Sequence, residues 1–308
     1  MIVKVGFIGL GIMGKPMSIN LIQAGFDTYV SDINMKAVEE VAAYGGTPCK
    51  TNKEIAEKCD VIITMLPTAQ HVEKVLFGED GIAQNGNPNT IVIDMSSVSP
   101  EDSRLFANRL KEYNMRFLDA PVSGGEPMAI DGTLSIMVGG EEDVFNEVLS
   151  IFQAMGKSIV NVGGHGTGSA AKLANQIMVS IHLAALSEAC VFASKSGIQL
   201  NKLYEAIHSG LAGSAVMDAK MPKIIERDFE PGGRIEINFK DLNNVQSAAN
   251  ALGVPLPVTH LVKEIFSSEI ANGHAKKDHS HIINYFERMA NHRVQRPNNS
   301  TYKSSANV

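Results

Sequence analysis

The chain has 308 residues, 44% of them hydrophobic and 19% charged, which suits two globular domains with ample core. A formal charge of −6 argues against nucleic acid or an anionic membrane surface as its partner. Three cysteines, none in a Cys-X-X-Cys pair, exclude a disulfide framework and suit a reducing compartment.

The opening MIVKVGFIGLG reads as a strand and not as a signal peptide, so a cytoplasmic protein is expected. Val3 to Ile8 is apolar; Gly9-Leu10-Gly11-Ile12-Met13-Gly14 follows, and then a segment with apolar residues at helical spacing. A glycine triplet alone is weak, but this one joins a strand to a helix, and a second strand ends in Asp32 about 20 residues on. The first glycine permits the turn, the second admits a pyrophosphate, and the third lets helix pack on strand. The helix N-terminus meets the phosphate charge, and Asp32 would accept from the adenosine ribose and repel a 2′-phosphate. The expected cofactor is therefore NAD, with NADP possible but less preferred.

Strand–helix alternation continues. Helices are expected over 34–44, 54–58 and 71–77, and strands over 60–67, 90–94 and from Arg116 to Asp119. This rhythm predicts a doubly wound, mostly parallel Rossmann sheet with ligands at the carboxyl ends of its strands. Met65-Leu66-Pro67 and Ser96-Ser97 occupy such ends, although each also reads as an ordinary turn. Val122-Ser123-Gly124-Gly125 offers a hydroxyl and consecutive backbone N–H groups suited to a carboxylate, or else a glycine turn. A strand over 133–138, a helix over 145–155 and a strand over 157–162 close the half, before the hinge Gly163-Gly-His-Gly-Thr-Gly168.

From Ser169 to Ser196 there is neither Gly nor Pro. At about 1.5 Å per residue this is a rod of roughly 42 Å, long enough to join two domains. Lys172, Asn175, Gln176, His182 and Glu188 interrupt it, so a buried soluble helix is expected and not a membrane span. Lys172, Asn175 and Gln176 share one face. By itself Lys172 reads either as a solvated lysine at a helix start or as an ammonium that binds an anion and donates a proton. Beyond it the pattern is helical: 200–208, 213–225 broken by Pro222, 237–252 with Lys240 and Asp241, 255–271 and 280–289. The expected domains are 1–163 for the dinucleotide and an all-α domain over 164–290 for substrate and oligomerisation, with a disordered tail over 291–308. His274, His279 and His281 lie near Asp278, with no further ligand to complete a metal site, and no metal is expected.

The segments GFIGLGIMGKPM (6–17), DAPVSGGEPMAIDGTLSIMVGG (119–140), GSAAKLANQ (168–176) and KDL (240–242), in this order, resemble the β-hydroxyacid dehydrogenase family. The resemblance implies hydride transfer between NAD(H) and a small β-hydroxyacid or semialdehyde. Tartronate semialdehyde is expected first, with 3-hydroxyisobutyrate or succinic or glyoxylic semialdehyde as alternatives. It implies Lys172 and Asn175 as catalytic residues, and Ser123, Gly124, Gly125, Asn175, Gln176 and Asp241 on a small-molecule carboxylate substrate. Gly9, Leu10, Gly11, Ile12, Met13, Gly14, Asp32, Met65, Leu66, Pro67, Ser97 and Lys240 fall to the cofactor. Ser97 stands where the family often has Thr, and Gly233 where relatives commonly have Phe. A developing alkoxide needs a proton and a cation, and a lysine supplies both if burial beside Lys240 lowers it to about 7–8. A non-catalytic dinucleotide-binding protein would not need Lys172 and Asn175 together. The length and apolarity of the central helix predict a homodimer or homotetramer.

Overall fold

The structure, a computed structural model, describes residues 3–230 and 232–296. It divides into two compact units, Met1–Ala174 and Asn175–Val308. In the first, β1 (Lys4–Ile8) pairs in parallel with β2 (Asp27–Ser31) and β4 (Val61–Thr64); β3 (Thr47–Pro48) extends the sheet past β2. On the other side come β5 (Ile91–Asp94) and β6 (Arg116–Asp119), also parallel. The chain winds outward from β1 in both directions, which opens a crevice at the carboxyl ends of β1 and β4.

The strands are apolar on both faces because each face has its own core. Val61 and Ile63 pack into one cluster and Ile62 into another, as do Ile91 and Ile93 against Val92. Beyond β6 the sheet is not parallel throughout. β8 (Leu134–Gly139) runs antiparallel to β6 and to the short β7 (Val122–Ser123), and β9 (Gly156–Gly163) is parallel to β8. The helix expected over 145–155 is two pieces, Glu142–Glu147 and Leu149–Gln153, separated at Val148 (φ −105°, ψ 10°).

The long helix Thr167–Lys195 runs out of the first unit. By length and composition it could cross a membrane. Its Leu183, Leu186, Cys190 and Val191 instead pack in the core of the second unit with Met221, Ile224, Leu242 and Phe266. The other helices there are Leu200–Ile207, Ala215–Glu226, Ile235–Leu252, Pro257–Ala271 and Ile283–Ala290. Pro222 does not break its helix, contrary to expectation. Met217, Met221, Ile224 and Ile225 around it are buried, and that packing outweighs the roughly 3 kcal/mol a helix proline costs. Residues 291–296, expected as the start of a disordered tail, are anchored. Val294 is buried, its N–H donates to Glu287 at 2.8 Å, and His292 meets Ser194 at 2.9 Å. The rest of that tail, 297–308, lies outside the described residues. Cys49, Cys59 and Cys190 are free and buried.

Candidate active site

The glycine loop does what its sequence requires. Gly9 has φ +100°, and a Cβ there would lie 2.4 Å from the Met65 carbonyl. A Cβ on Gly14 would stand 1.9 Å from the Gly9 carbonyl, so the helix Gly14–Gln23 reaches its strand only because that atom is missing. Gly11 differs: its Cβ would meet nothing within 4 Å. Open space over Gly11, at a helix N-terminus, fits a pyrophosphate. Asp32 is strapped to this loop, one carboxylate oxygen accepting the Leu10 N–H at 2.5 Å and the other the Asn34 N–H at 2.7 Å. Each oxygen keeps a second lone pair for a ribose hydroxyl. A cavity of about 370 Å³ runs past Leu10, Gly11, Ile12, Asn34 and Lys36. Lys15 also lines it, with its charge held by Glu40 at 2.8 Å.

Asp94, which the sequence reading passed over, organises the next two loops. Its Oδ1 accepts from the Thr64 hydroxyl at 2.8 Å and the Ser96 N–H at 3.0 Å, while the Ser96 hydroxyl accepts the Leu66 N–H at 2.9 Å. Met65–Pro67 and Ser96–Ser97 are thereby tied together at the ends of β4 and β5. Burial pushes the Asp94 carboxyl up to about 6 against its hydrogen bonds from Ser96 and Thr64, and Oδ2 has no partner.

Ser123 pairs across β7–β8 with Ser135, and Gly124 (φ +140°) and Gly125 (φ +67°) turn the chain into the helix Gly125–Ile130. The sequence pattern assigned no element to residues 126–130. Asn20 holds it to the first helix through the Ala129 carbonyl at 2.8 Å. Lys172, half-buried, stands early on the long helix, past the point where Asp119 receives the N–H groups of Gly166 and Ser169 at 2.7 and 2.8 Å.

In the second unit the expected polar residues form one group. Asn175 donates to Gln176 at 3.0 Å, Gln176 donates to the buried Asp241 at 2.7 Å, and Lys240 lies 3.4 Å from the other Asp241 oxygen. The Gly233 N–H donates to Asp278 at 3.0 Å, and a Cβ on it would touch the His279 ring at 3.4 Å. The three histidines separate. His279 bonds Asn238 at 2.8 Å, and burial pushes its pKa down to about 3. His274 and His281 converge on one oxygen of Glu269 at 3.0 and 2.8 Å. Glu269, fully buried, is the ligand-type residue the sequence reading missed, because it lies on a different helix. Arg288 holds its other oxygen, so hydrogen bonds already satisfy the carboxylate. A larger cavity, about 490 Å³, is an apolar groove along the last turns of the long helix, lined by Val191, Phe192, Phe286 and Met289, and it contains none of the expected site residues.

Residues 4–164 match the family model described as the NAD binding domain of 6-phosphogluconate dehydrogenase, and residues 166–286 that described as NAD-binding of NADP-dependent 3-hydroxyisobutyrate dehydrogenase. The chain is 43% identical to 2-hydroxy-3-oxopropionate reductase of Escherichia coli K12, over 94% of this chain and 99% of that one. It is 38% identical to 2-(hydroxymethyl)glutarate dehydrogenase of Eubacterium barkeri, over 93% and 96%. A crystal structure described as 3-hydroxyisobutyrate dehydrogenase from Salmonella typhimurium superposes with a TM-score of 0.84 at 30% identity, covering 92% of this chain and all (100%) of that one.

Proposed function

We propose, for a chain that belongs to the β-hydroxyacid dehydrogenase family and is therefore an NAD(P)-dependent oxidoreductase, that the preferred reaction is reduction of tartronate semialdehyde (2-hydroxy-3-oxopropionate) to glycerate. The observation behind the substrate is the end-to-end 43% identity to the Escherichia coli reductase of that compound.

The open space over Gly11 and the Asp32 carboxylate fit the pyrophosphate and ribose of the dinucleotide. When bound, NADH supplies the hydride. Ser123, with the backbone N–H groups of Gly124 and Gly125, holds the substrate carboxylate, since a hydroxyl and a glycine turn present donors without side-chain bulk. The Lys172 ammonium steadies the charge developing on the oxygen that becomes the alcohol, then gives that oxygen its Nζ proton and is left a neutral amine. The family resemblance assigns Asn175 to the same step, Gln176 and Asp241 to the substrate, and Lys240 to the cofactor. NADH is preferred over NADPH because the Asp32 carboxylate repels a 2′-phosphate and Glu40 already engages Lys15.

The deciding experiment compares kcat/KM for tartronate and succinic semialdehydes with NADH and NADPH, and for glycerate and 3-hydroxyisobutyrate with NAD+ and NADP+. Tartronate semialdehyde with NADH should lead the reductions; a higher value for 3-hydroxyisobutyrate than for glycerate would overturn the substrate assignment. The groove around Phe192 and Met289, 76% and 72% exposed, supports a homodimer or homotetramer, which sedimentation of a stable monomer would refute.

A further inference from the structure

We propose that Asp119 is a positioning residue for the reaction: its carboxylate clamps the first turn of the helix bearing Lys172 to the strand leading into Ser123–Gly125. The inference rests on the role proposed above for Lys172. Asp119 is fully buried at the end of β6, four residues before Ser123. One oxygen accepts the Gly166 N–H at 2.7 Å and the other the Ser169 N–H at 2.8 Å. A strand residue thus caps the long helix, and its negative charge faces the helix N-terminus, where the backbone dipoles favour it. Lys172 follows Ser169 by less than one turn.

The packing leaves the clamp no slack. A Cβ on Gly168 would lie 2.4 Å from both the Asp119 and Met137 carbonyls, and one on Gly139 would lie 2.7 Å from the Asp119 carboxylate. The Ser169 hydroxyl meets that of Ser103 at 2.8 Å, which secures the same turn to the helix Pro100–Lys111. On the other side, the Ala120 N–H donates to the Asp94 carbonyl at 2.7 Å and the Met137 N–H to the Pro121 carbonyl at 3.1 Å, fixing the path from Asp119 to Ser123. The helix can therefore rotate or slide only by breaking a bond to Asp119.

Burial raises this carboxyl to about 6, against the two backbone N–H groups that hold it ionised. The ionisable groups around it are Asp94 on the neighbouring strand, His165 in the hinge turn with Glu141 at 3.4 Å from it, and Arg104 beside Gly166. Once protonated, Asp119 presents a hydroxyl to one of the two N–H groups, and the clamp opens on that side.

The test is kcat as a function of pH for wild type, Asp119→Asn, Lys172→Ala and the double variant, with thermal unfolding and NADH titration on each. Asp119→Asn should keep NADH affinity within about twofold and lower kcat by roughly 10–100-fold, the scale of a small misplacement of a reacting group. Wild type should lose rate below about pH 6, and that acid limb should vanish in Asp119→Asn. It should persist in Asp94→Asn and His165→Gln, which remove the other two neighbours able to supply it. In the Lys172→Ala background Asp119→Asn should cost far less. An Asp119→Asn enzyme at wild-type kcat with the limb intact, or one equally impaired in both backgrounds, overturns the inference. If that variant does not fold, a wild-type profile flat between pH 5 and 7 overturns it instead. Lys172→Ala at wild-type rate sinks the lysine's own assignment, and that result needs no Asp119 variant.

Discussion

Replacing Gly11 and Gly14 by alanine separates cofactor binding from folding at two positions three residues apart. At Gly14 the new methyl would start 1.9 Å from the Gly9 carbonyl oxygen and 3.0 Å from the Phe7 ring. Ordinary C···O contact needs well over 3 Å, so the helix and the loop must part by more than 1 Å, and neither is a movable side chain. Alanine's better helix propensity returns about 1 kcal/mol. Overpacking of this kind costs about 3 kcal/mol or more, and the net loss of about 2 kcal/mol lowers Tm in a domain this size by roughly 4–8 °C. At Gly11 the methyl meets no protein atom and the backbone is not left-handed, so stability should hold or rise by up to about 1 kcal/mol. The same methyl occupies the space assigned to the pyrophosphate. A steric penalty of about 1–3 kcal/mol weakens NADH binding by roughly 5–150-fold. Urea denaturation and NADH fluorescence titration on both variants read the two effects. An unchanged NADH Kd in Gly11→Ala, or an unchanged unfolding midpoint in Gly14→Ala, would refute the reasoning.

Lys172→Ala should lower kcat by roughly 10²–10⁴ with NADH affinity nearly intact, and Lys172→Arg should not rescue it because a guanidinium cannot give up its proton; single-turnover reduction rates decide. Asp32→Ala should narrow the kcat/KM gap between NADH and NADPH, and an unchanged ratio would count against a ribose contact. Glu269→Gln should cost about 3 kcal/mol in chemical denaturation, since it strips a buried carboxylate from Arg288 and two histidines. Asp94, raised from 3.8 to about 6 by burial, binds its proton more tightly when folded, so its contribution is complete below pH 4 and lost as pH rises through 6. Asp94→Asn should therefore flatten the stability change between pH 4 and 8, by at most about 3 kcal/mol, and a parallel pair of curves would exclude this. His279, held neutral by burial at about 3, works in the opposite sense: its contribution is present above pH 6.5 and lost as pH falls.

The first unit was legible where one period dominates. Val5, Phe7 and Ile8 make a strand buried on both faces, and three glycines at fixed spacing announce the turn that follows. The antiparallel pairing of β7 with β8 was not legible, because it depends on a partner strand brought up from beyond a helix. The helix Gly125–Ile130 hid behind glycines and a proline that favour turns in isolation. Pro222 misled in the same way: a local penalty is visible in sequence, whereas the packing of Met221 and Ile224 that overrides it is not. Among site residues, spacing placed Lys172, Asn175 and Gln176 on one helix face, and only the family resemblance gave Lys172 and Asn175 a catalytic role. Asp94 and Glu269 did not, since what marks them is burial and partners drawn from other elements.

The three buried thiols give this protein internal clocks. Burial pushes Cys59 and Cys190 up to about 12 and Cys49 above its ordinary value, so no thiolate meets solvent while the fold is closed. Alkylation then proceeds only through opening events, and its rate counts them. Cys49 and Cys59 sit in the nucleotide unit and Cys190 on the inner side of the helical one. Mass-resolved labelling of the three positions would thus time the opening of each unit in the same tube. Added NADH should slow the first two clocks by mass action, and whether the third slows with them measures how far the two units unfold as one.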